Sequence, residues 1–377
     1  MKQKRFLQTA FMLTAALLLL AACTQNELSD GSQGETLPEG KYPLTFNASI
    51  DGEAVAATPQ TRGSSVDGDA ASLDYIGTWV LKNSTDDKRI MIFKRDGATS
   101  TWKFYQNFGS EGQPSAPYYW GSTSESIRMR AWYFPNNNEG QIYGKTSQNA
   151  SLSDSGLDYF NWSVKSDQDK NSGYENSDFL YALEWFNFSE SKTLHFFHQT
   201  AKVVVHIIAG DQTPADITSD KISMTIGDSD SDNKIYLQGE WEKTDSHWSD
   251  DSSEILGRWS TWGKAKGYII PKELGPQDIT VGDKTVTSLA SYEALVIPQT
   301  ITAGKKLFVI NIEGYAPFYY TPAADINWST SSGSKKPGGV EFTYYITIKG
   351  SSLSVTTSQS IGWGTDGESG SGSVEIE

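Results

Sequence analysis

The stretch Leu44-Thr45-Phe46-Asn47-Ala48-Ser49-Ile50 alternates apolar and polar side chains with a period of two. Because successive side chains of a strand point to opposite faces, such a stretch buries one face and exposes the other. Similar short runs recur along most of the chain after this stretch, among them 202–208 and 341–348, and polar, turn-rich stretches separate them. No window of about a dozen residues carries a sustained helical stripe. The sequence therefore predicts an all-β protein made of β-sandwiches.

The number of predicted strands indicates more than one domain. About fourteen strands are too many for a single sandwich of the usual size. The polar stretch 209–220 is the best candidate for a linker. We therefore predict an N-terminal β-sandwich at 63–210, which also includes the strand 44–50 in the precursor, a C-terminal β-sandwich at 211–363, and a Gly/Ser-rich tail at 364–377.

Composition excludes several classes of function. The 377 residues include 46 Asp and Glu against 31 Lys and Arg, which gives a formal net charge of −15. Binding of nucleic acid needs a basic footprint, so no nucleic-acid partner is expected. The single cysteine, Cys23, excludes an internal disulfide and a cysteine-rich zinc site. No cofactor is predicted.

The N-terminus has the pattern of an export signal. A basic start is followed by an apolar run, Phe6–Leu20, and then by small residues. An ordinary secretory signal would be cut near the alanine pair. The sequence Leu20-Ala21-Ala22-Cys23 instead matches the lipobox of a bacterial lipoprotein signal, and the only cysteine stands at the acylated position. We predict a signal peptide at 1–22, lipidation of Cys23, and a segment 23–62 that comprises a tether and the first strand.

One acidic stretch resembles the start of a calcium loop. Asp228, Asp230 and Asp232 follow the pattern D-x-D-x-D. However, Asn233 stands where glycine is required, and the twelfth position is Gly239 rather than glutamate. An acidic hairpin turn is the favoured interpretation, and calcium binding stays open. No metal site is predicted.

Nothing in the sequence nominates a catalytic site. The motifs G-x-S-x-G, H-E-x-x-H and the P-loop are absent. His195 and His198 are three positions apart, which places them on opposite faces of a strand, so they would not share a metal. Two distant carboxylates of a glycoside hydrolase could still meet in space. We predict that the protein is not an enzyme.

Aromatic content leaves one binding function open. Tryptophans are spread through the chain, and exposed indoles can stack on sugars or on partner proteins. Most of them are expected to lie in the cores. The alternative to a structural role is therefore a surface-anchored glycan-binding lipoprotein, which would present a line of coplanar exposed tryptophans.

Several stretches, in their order along the chain, resemble the fimbrillins of Bacteroidales surface fimbriae. Each is short, but together they span nearly the whole sequence. They are the lipobox, Thr61-Arg62, Ser177–Ala182 with Thr193–Val205, Ala294–Thr300 with Lys305–Ile310, and Val340–Ile348 with Ile361-Gly362-Trp363.

The resemblance implies a fold and a life cycle. The fold would be two tandem transthyretin-like Greek-key β-sandwich domains without enzymatic activity. A lipoprotein precursor would reach the outer membrane and the cell surface, where an Arg-specific protease trims its N-terminal segment. Subunits would then join other fimbrial subunits by donor-strand exchange into a fimbrium that supports adhesion to a host or bacterial receptor.

The residues give this route a physical basis. Arg62 is the only arginine between Cys23 and Arg89. A cut between Arg62 and Gly63 would therefore release the lipid anchor, the tether and the first strand together.

The released strand would carry Leu44, Phe46, Ala48 and Ile50 on one face. Losing the burial of the three large side chains costs ~1.5–3 kcal/mol each. The cut would also leave a groove with unpaired backbone groups, which a neighbour's strand can restore. Because donor and groove lie on different surfaces, the contact is head-to-tail and generates a filament.

The resemblance places the donor strand near the C-terminus. The candidate donor side chains there are Ile361, Trp363, Val374 and Ile376. Only two apolar residues alternate at the very end of the chain, so the donor would also include residues before the Gly/Ser-rich tail.

Overall fold

The computed structural model describes residues 35–50, 73, 75–82, 88–107, 117–133, 159–190, 192–244, 256–281, 284–329, 339–350, 352–361 and 372–375. In this part of the chain the regular structure is almost entirely β-strand, with three short 3-10 turns at Glu175–Ser177, Ser219–Lys221 and Ser231–Asn233. The predicted all-β class is confirmed, whereas the transthyretin-like Greek-key topology stays a prediction. Within the described residues, no helix is long and apolar enough to cross a membrane.

The strands, in chain order, are β1 Asn47–Ile50, β2 Tyr75–Lys82, β3 Lys88–Arg95, β4 Trp102–Asn107, β5 Ser126–Tyr133, β6 Tyr159–Ser163, β7 Leu180–Asn187, β8 Thr193–His198, β9 Ala201–Ala209, β10 Ile222–Ile226, β11 Ile235–Tyr236, β12 Gln238–Lys243, β13 Gly257–Ser260, β14 Lys266–Gly267, β15 Lys272–Glu273, β16 Asp278–Val281, β17 Lys284–Thr287, β18 Ala290–Val296, β19 Thr300–Ile301, β20 Phe308–Ile312, β21 Phe318–Tyr320, β22 Ile326–Asn327, β23 Val340–Lys349, β24 Ser352–Ile361 and β25 Gly372–Glu375.

The first large sheet has seven strands in the order β1-β8-β7-β5-β2-β3-β4. Its neighbours are antiparallel except for β1 and β8, which run parallel. One face of the sheet builds the first core. In β5, for example, Ile127, Met129 and Ala131 alternate into this core, as the period of two requires.

The second large sheet has six strands in the order β15-β18-β9-β23-β24-β25. Its centre is the parallel pair β9 and β23. The small sheet β10-β20-β21 contributes to the same core, where Val205 of β9, Met224 of β10 and Ile310 of β20 are all buried. These two sheets therefore enclose the second core between them.

The chain changes from the first large sheet to the second between β8 and β9. Only Gln199 and Thr200 separate the two strands. The sequence-based boundary at residue 210 therefore differs from the point where the chain changes sheets. The polar stretch after β9 looks like a linker in the sequence, but it is tied to β23, because the Thr213 hydroxyl donates to the Ile348 carbonyl at 2.8 Å.

A third core lies between the outer face of the first sheet and the three-stranded sheet β6-β12-β13. It is mainly aromatic and includes Trp132 and Trp241, both almost fully buried. Two glycines make room for these rings. A Cβ at Gly77 would overlap the Trp132 indole, and a Cβ at Gly257 would overlap the Trp241 indole.

Gly257→Ala should therefore destabilise the protein, because the added methyl group forces the Trp241 ring out of its place. We expect a loss of about 1–3 kcal/mol in the free energy of unfolding, measured by urea denaturation. Gly97→Ala is the matched control, since no atom lies within 4 Å of its added Cβ. Equal urea midpoints for the two variants would contradict this account of the third core.

His206 lies on the outer face of the second large sheet. Its Nδ1 is 2.8 Å from the Ser291 hydroxyl, and its ring stacks on Tyr345 with centroids 5.5 Å apart. Burial lowers the pKa of His206 from 6.5 to about 4. The unfolded chain therefore takes up this proton at a higher pH than the folded protein does.

The stability conferred by neutral His206 should be complete above about pH 6.5 and should fall as the pH drops towards 4. One proton contributes at most ~1.4 kcal/mol per pH unit to the free energy of unfolding. His206→Gln retains a polar group beside Ser291 and cannot take up the proton. We expect this variant to lose less stability than the parent between pH 7 and pH 4.5 in urea denaturation, and equal losses would refute the assignment.

Candidate functional site

The N-terminal segment 35–50 contacts β8 and β4 of the first sheet. On one side β1 pairs in parallel with β8, with Asn47 opposite Thr193 and Ile50 opposite Phe196. On the other side the Trp102 amide, at the start of β4, donates to the Phe46 carbonyl at 2.8 Å. The segment therefore contacts both edges of the sheet, and we call the place that it occupies the seat.

Side chains of this segment fill the first core. Leu44 is 1% exposed, and Phe46 and Ile50 are each 2% exposed. Ala48 is half-buried and packs against the same core. The polar residues between them point away from it, which is the arrangement that their alternation predicts.

Phe46 has the most extensive aromatic contacts of the segment. Its ring centroid lies 4.8 Å from that of Phe93, 6.4 Å from that of Trp102 and 6.3 Å from that of Phe186. These partners come from β3, β4 and β7, so a single side chain joins three strands. Their rings form the floor of the seat.

The residues before β1 form backbone hydrogen bonds with another segment of the chain, residues 118–121. The Leu44 amide donates to the Tyr118 carbonyl at 2.8 Å, and the Trp120 amide donates to the Tyr42 carbonyl at 2.9 Å. Further along, the Leu37 amide donates to the Gly121 carbonyl at 2.9 Å. Residues 118–121 therefore form the wall against which residues 37–44 run.

Glu125 holds this wall in place. Its carboxylate is almost fully buried and accepts hydrogen bonds from the Tyr118 hydroxyl and from the Gly121 amide, the latter at 2.7 Å. The Lys82 ammonium lies 3.3 Å from the same carboxylate. Sequence reasoning missed Glu125, because an acidic residue beside a serine-rich turn is normally exposed.

Cys23, Arg62, Gly63, Trp363 and Ile376 are outside the described residues.

Two donor candidates lie in the second large sheet and not at the seat. Ile361 ends β24 and pairs with Val340 of β23, and Val374 of β25 pairs with Val355 of β24. The C-terminal strand β25 thus forms an edge of this chain's own second sheet.

The stretch with the calcium-like pattern is a turn that is tied to a lysine. The Asp228 amide donates to the Asn233 carbonyl at 3.1 Å, and the Lys306 ammonium is 3.8 Å from the Asp228 carboxylate. The Lys306 amide also donates to the Asn233 side chain at 3.0 Å. Among the described residues, no three His, Cys, Asp or Glu side chains are grouped so that they could hold a metal ion.

The two neighbouring histidines have separate acidic partners. His195 Nδ1 is 2.8 Å from the Glu184 carboxylate, and His198 Nδ1 is 3.0 Å from the Asp178 carboxylate. The second pair is buried at the end of β8, whereas the His195 side chain is exposed. The arrangement does not bring the two imidazoles to one site.

These observations describe an all-β protein of several sheets with an N-terminal segment built into its first core. The sequence model of the fimbrillin-like family matches residues 61–361, which is well over half of the chain. The chain therefore belongs to the fimbrillin-like family, and the resemblance seen in the sequence is confirmed. Comparison with curated protein sequences gives no match.

Three of the solved structures that match this chain come from species of Bacteroides and Parabacteroides. A candidate cell adhesion protein from Bacteroides uniformis is 16% identical, with 86% of this chain and 98% of that chain covered and a TM-score of 0.47. A fimbrial assembly protein from Parabacteroides distasonis is 8% identical, with 88% and 100% covered and a TM-score of 0.36. A candidate polysaccharide binding protein from Bacteroides thetaiotaomicron is 10% identical, with 89% and 99% covered and a TM-score of 0.36.

Glu125→Gln should loosen the wall that holds residues 37–44. Weakening hydrogen bonds to a charged group costs about 1.5–3 kcal/mol, which corresponds to roughly ten- to hundredfold faster local opening. Hydrogen exchange followed by mass spectrometry should show faster exchange at the amides of Leu37, Leu44 and Trp120. The exposed Glu313→Gln is the control, and identical exchange in the two variants would refute the role of Glu125.

Proposed function

We propose that this chain is a structural subunit of a surface fimbrium, that it polymerises by donor-strand exchange after proteolysis, and that the polymer supports cell adhesion. Membership of the fimbrillin-like family supports the fimbrial role. The geometry of the seat supports the exchange. No enzymatic activity and no cofactor are part of this proposal.

The burial of Leu44, Phe46 and Ile50 is the observation that carries the proposal. Their segment has a parallel register of only four residues with β8 and meets β4 through one bridge, at Phe46. Parallel pairing is slightly weaker per residue than antiparallel pairing. At residues 46–50 side-chain burial therefore adds to a limited backbone pairing, and another strand with suitably spaced apolar residues can reproduce that burial.

Processing in this proposal follows from the predicted N-terminal residues. Cys23 carries the lipid that anchors the precursor in the outer membrane. Cleavage between Arg62 and Gly63 removes residues 23–62, including the seated segment. The edges of β8 and β4 then expose unpaired backbone groups, and the aromatic floor of the seat is uncovered.

The donor in this proposal is the C-terminal region of another subunit, with Ile361, Trp363, Val374 and Ile376 as its apolar candidates. Strand β25 is four residues long, so detaching it from β24 breaks few backbone hydrogen bonds. A C-terminal donor that enters an N-terminal seat makes a head-to-tail contact, and such contacts do not close on themselves. The partners are further copies of this chain or other fimbrial subunits.

The positions of the other arginines make cleavage at Arg62 testable. All arginines after Arg62 lie within strands, at Arg89, Arg95, Arg128, Arg130 and Arg258. Proteases prefer flexible chain to paired strands. The five strand arginines are therefore expected to resist an Arg-specific protease in the folded protein, which leaves Arg62 as the proposed site of cleavage.

Incubation of the purified chain, from residue 24 onwards, with an Arg-specific protease should give a new N-terminus at Gly63 and then a ladder of detergent-resistant oligomers. The oligomers should appear only after the cut, because the seat is filled before it. Arg62→Ala is the matched control and should stay monomeric. A cleaved chain that loses residues 44–50 but remains monomeric would overturn the proposal.

A further inference from the structure

The three-stranded sheet β6-β12-β13 has an outer side that does not face the third core. The inner side of this sheet packs Phe160 and Trp241 into the third core. Because side chains alternate along a strand, the residues next to these face outward. They pair in two rows, Asn161–Glu240–Ser260 and Tyr159–Glu242–Arg258, which together we call the outer polar face.

Lys264 is fixed against the outer polar face. Its ammonium donates to the Asn161 side-chain oxygen at 2.7 Å and lies 3.6 Å from the Glu240 carboxylate. An ammonium group carries three N–H donors, so donor capacity remains after these contacts. Amide, carboxylate and ammonium groups are thus held close together on this side of the sheet.

Trp262 lies in the turn that follows β13. It is 89% exposed, and a hydrogen bond from the Lys264 amide to the Thr261 carbonyl at 3.2 Å closes this turn. A single exposed apolar side chain is ordinary. This one, however, lies two residues after Ser260 and two residues before Lys264, so the chain places it close to the outer polar face.

The charges of the face are balanced. Glu240 and Glu242 are matched by Arg258 and Lys264, although the chain as a whole has a formal net charge of −15. A balanced surface does not select a polyanion or a polycation. It suits an uncharged ligand that both donates and accepts hydrogen bonds.

We propose that the outer polar face, together with Trp262, binds a neutral polysaccharide. Sugar hydroxyl groups would exchange hydrogen bonds with Asn161, Glu240 and Lys264, and the C–H face of a sugar ring would stack on the Trp262 indole. This site shares no residue with the seat of the N-terminal segment. The proposal is therefore independent of strand exchange.

Affinity electrophoresis tests this site on the whole folded chain. Native gels would contain yeast mannan, galactomannan, arabinogalactan or glycogen, and a gel with polygalacturonate serves as the charged probe. We expect at least one neutral polysaccharide to retard the protein. Trp262→Ala and Lys264→Ala should each weaken this binding at least tenfold.

Trp185→Ala is the matched control, because Trp185 is also exposed, at 42%, but lies on β7 of the first sheet. It should bind as the parent does, and the urea midpoint of Trp262→Ala should equal that of the parent. Arg62→Ala, which blocks the proposed cleavage, should bind normally.

Failure of all four neutral polysaccharides to retard the protein would overturn the proposal. Equal effects of Trp262→Ala and Trp185→Ala would also overturn it, as would retardation by polygalacturonate alone. If Trp262→Ala impairs association between chains and leaves the mobility in every polysaccharide gel unchanged, the residue belongs to a subunit interface and the glycan assignment is wrong.

Discussion

Burial of Phe46 between the strands β3, β4 and β7 is the contact that joins the N-terminal segment to three strands of the first core. Its ring touches aromatic partners from all three strands, while the backbone around it makes few hydrogen bonds to the sheet. Hydrophobic burial has no preferred direction, unlike a backbone ladder. A segment held in this way is specified by the spacing and size of its side chains, and a strand of another chain with suitable side chains would meet the same requirement.

The second large sheet depends mainly on backbone pairing between its strands. Its central strand β9 is paired along nearly its whole length with β18 on one side and with β23 on the other. Gln199 lies where the chain passes from the first large sheet to the second, and three hydrogen bonds hold it in place. Its amide donates to Phe179 at 2.7 Å, its carbonyl accepts from the Trp259 indole at 2.7 Å, and its side chain accepts from the Trp241 indole at 3.1 Å. The first large sheet, which contains the seat, is thus joined to a second large sheet whose central strand is paired on both sides.

The sequence predicted where the strands lie better than it predicted which strands pair with each other. The alternation at 202–208 and 341–348 marks β9 and β23 to within a residue or two of their observed ends. Alternation says which face of a strand is buried, but it does not say which strand lies beside it. The pairing of β6 with β12 and the parallel pairing of β1 with β8 therefore could not be read from the pattern.

The same limit applies to contacts between distant parts of the chain. Glu125 reads as a surface residue because its partners, Tyr118 and Lys82, come together only in the folded sheet. The polar stretch after β9 reads as a linker, since nothing local reveals its bonds to β23. In both places the polar sequence indicates an exposed position, and contacts with distant residues give it a different environment.

Family membership and ligand recognition rest on different residues of this chain. Alternating apolar positions build the cores, and such positions tolerate exchange between apolar residues of similar volume. The outer polar face and Trp262 contribute little to those cores, so the fold places no strong constraint on them. A shared fold therefore does not transfer a ligand, because function resides in the side chains of a particular site. A sugar site in this chain would depend on Lys264, its two partners Asn161 and Glu240, and the exposed indole of Trp262.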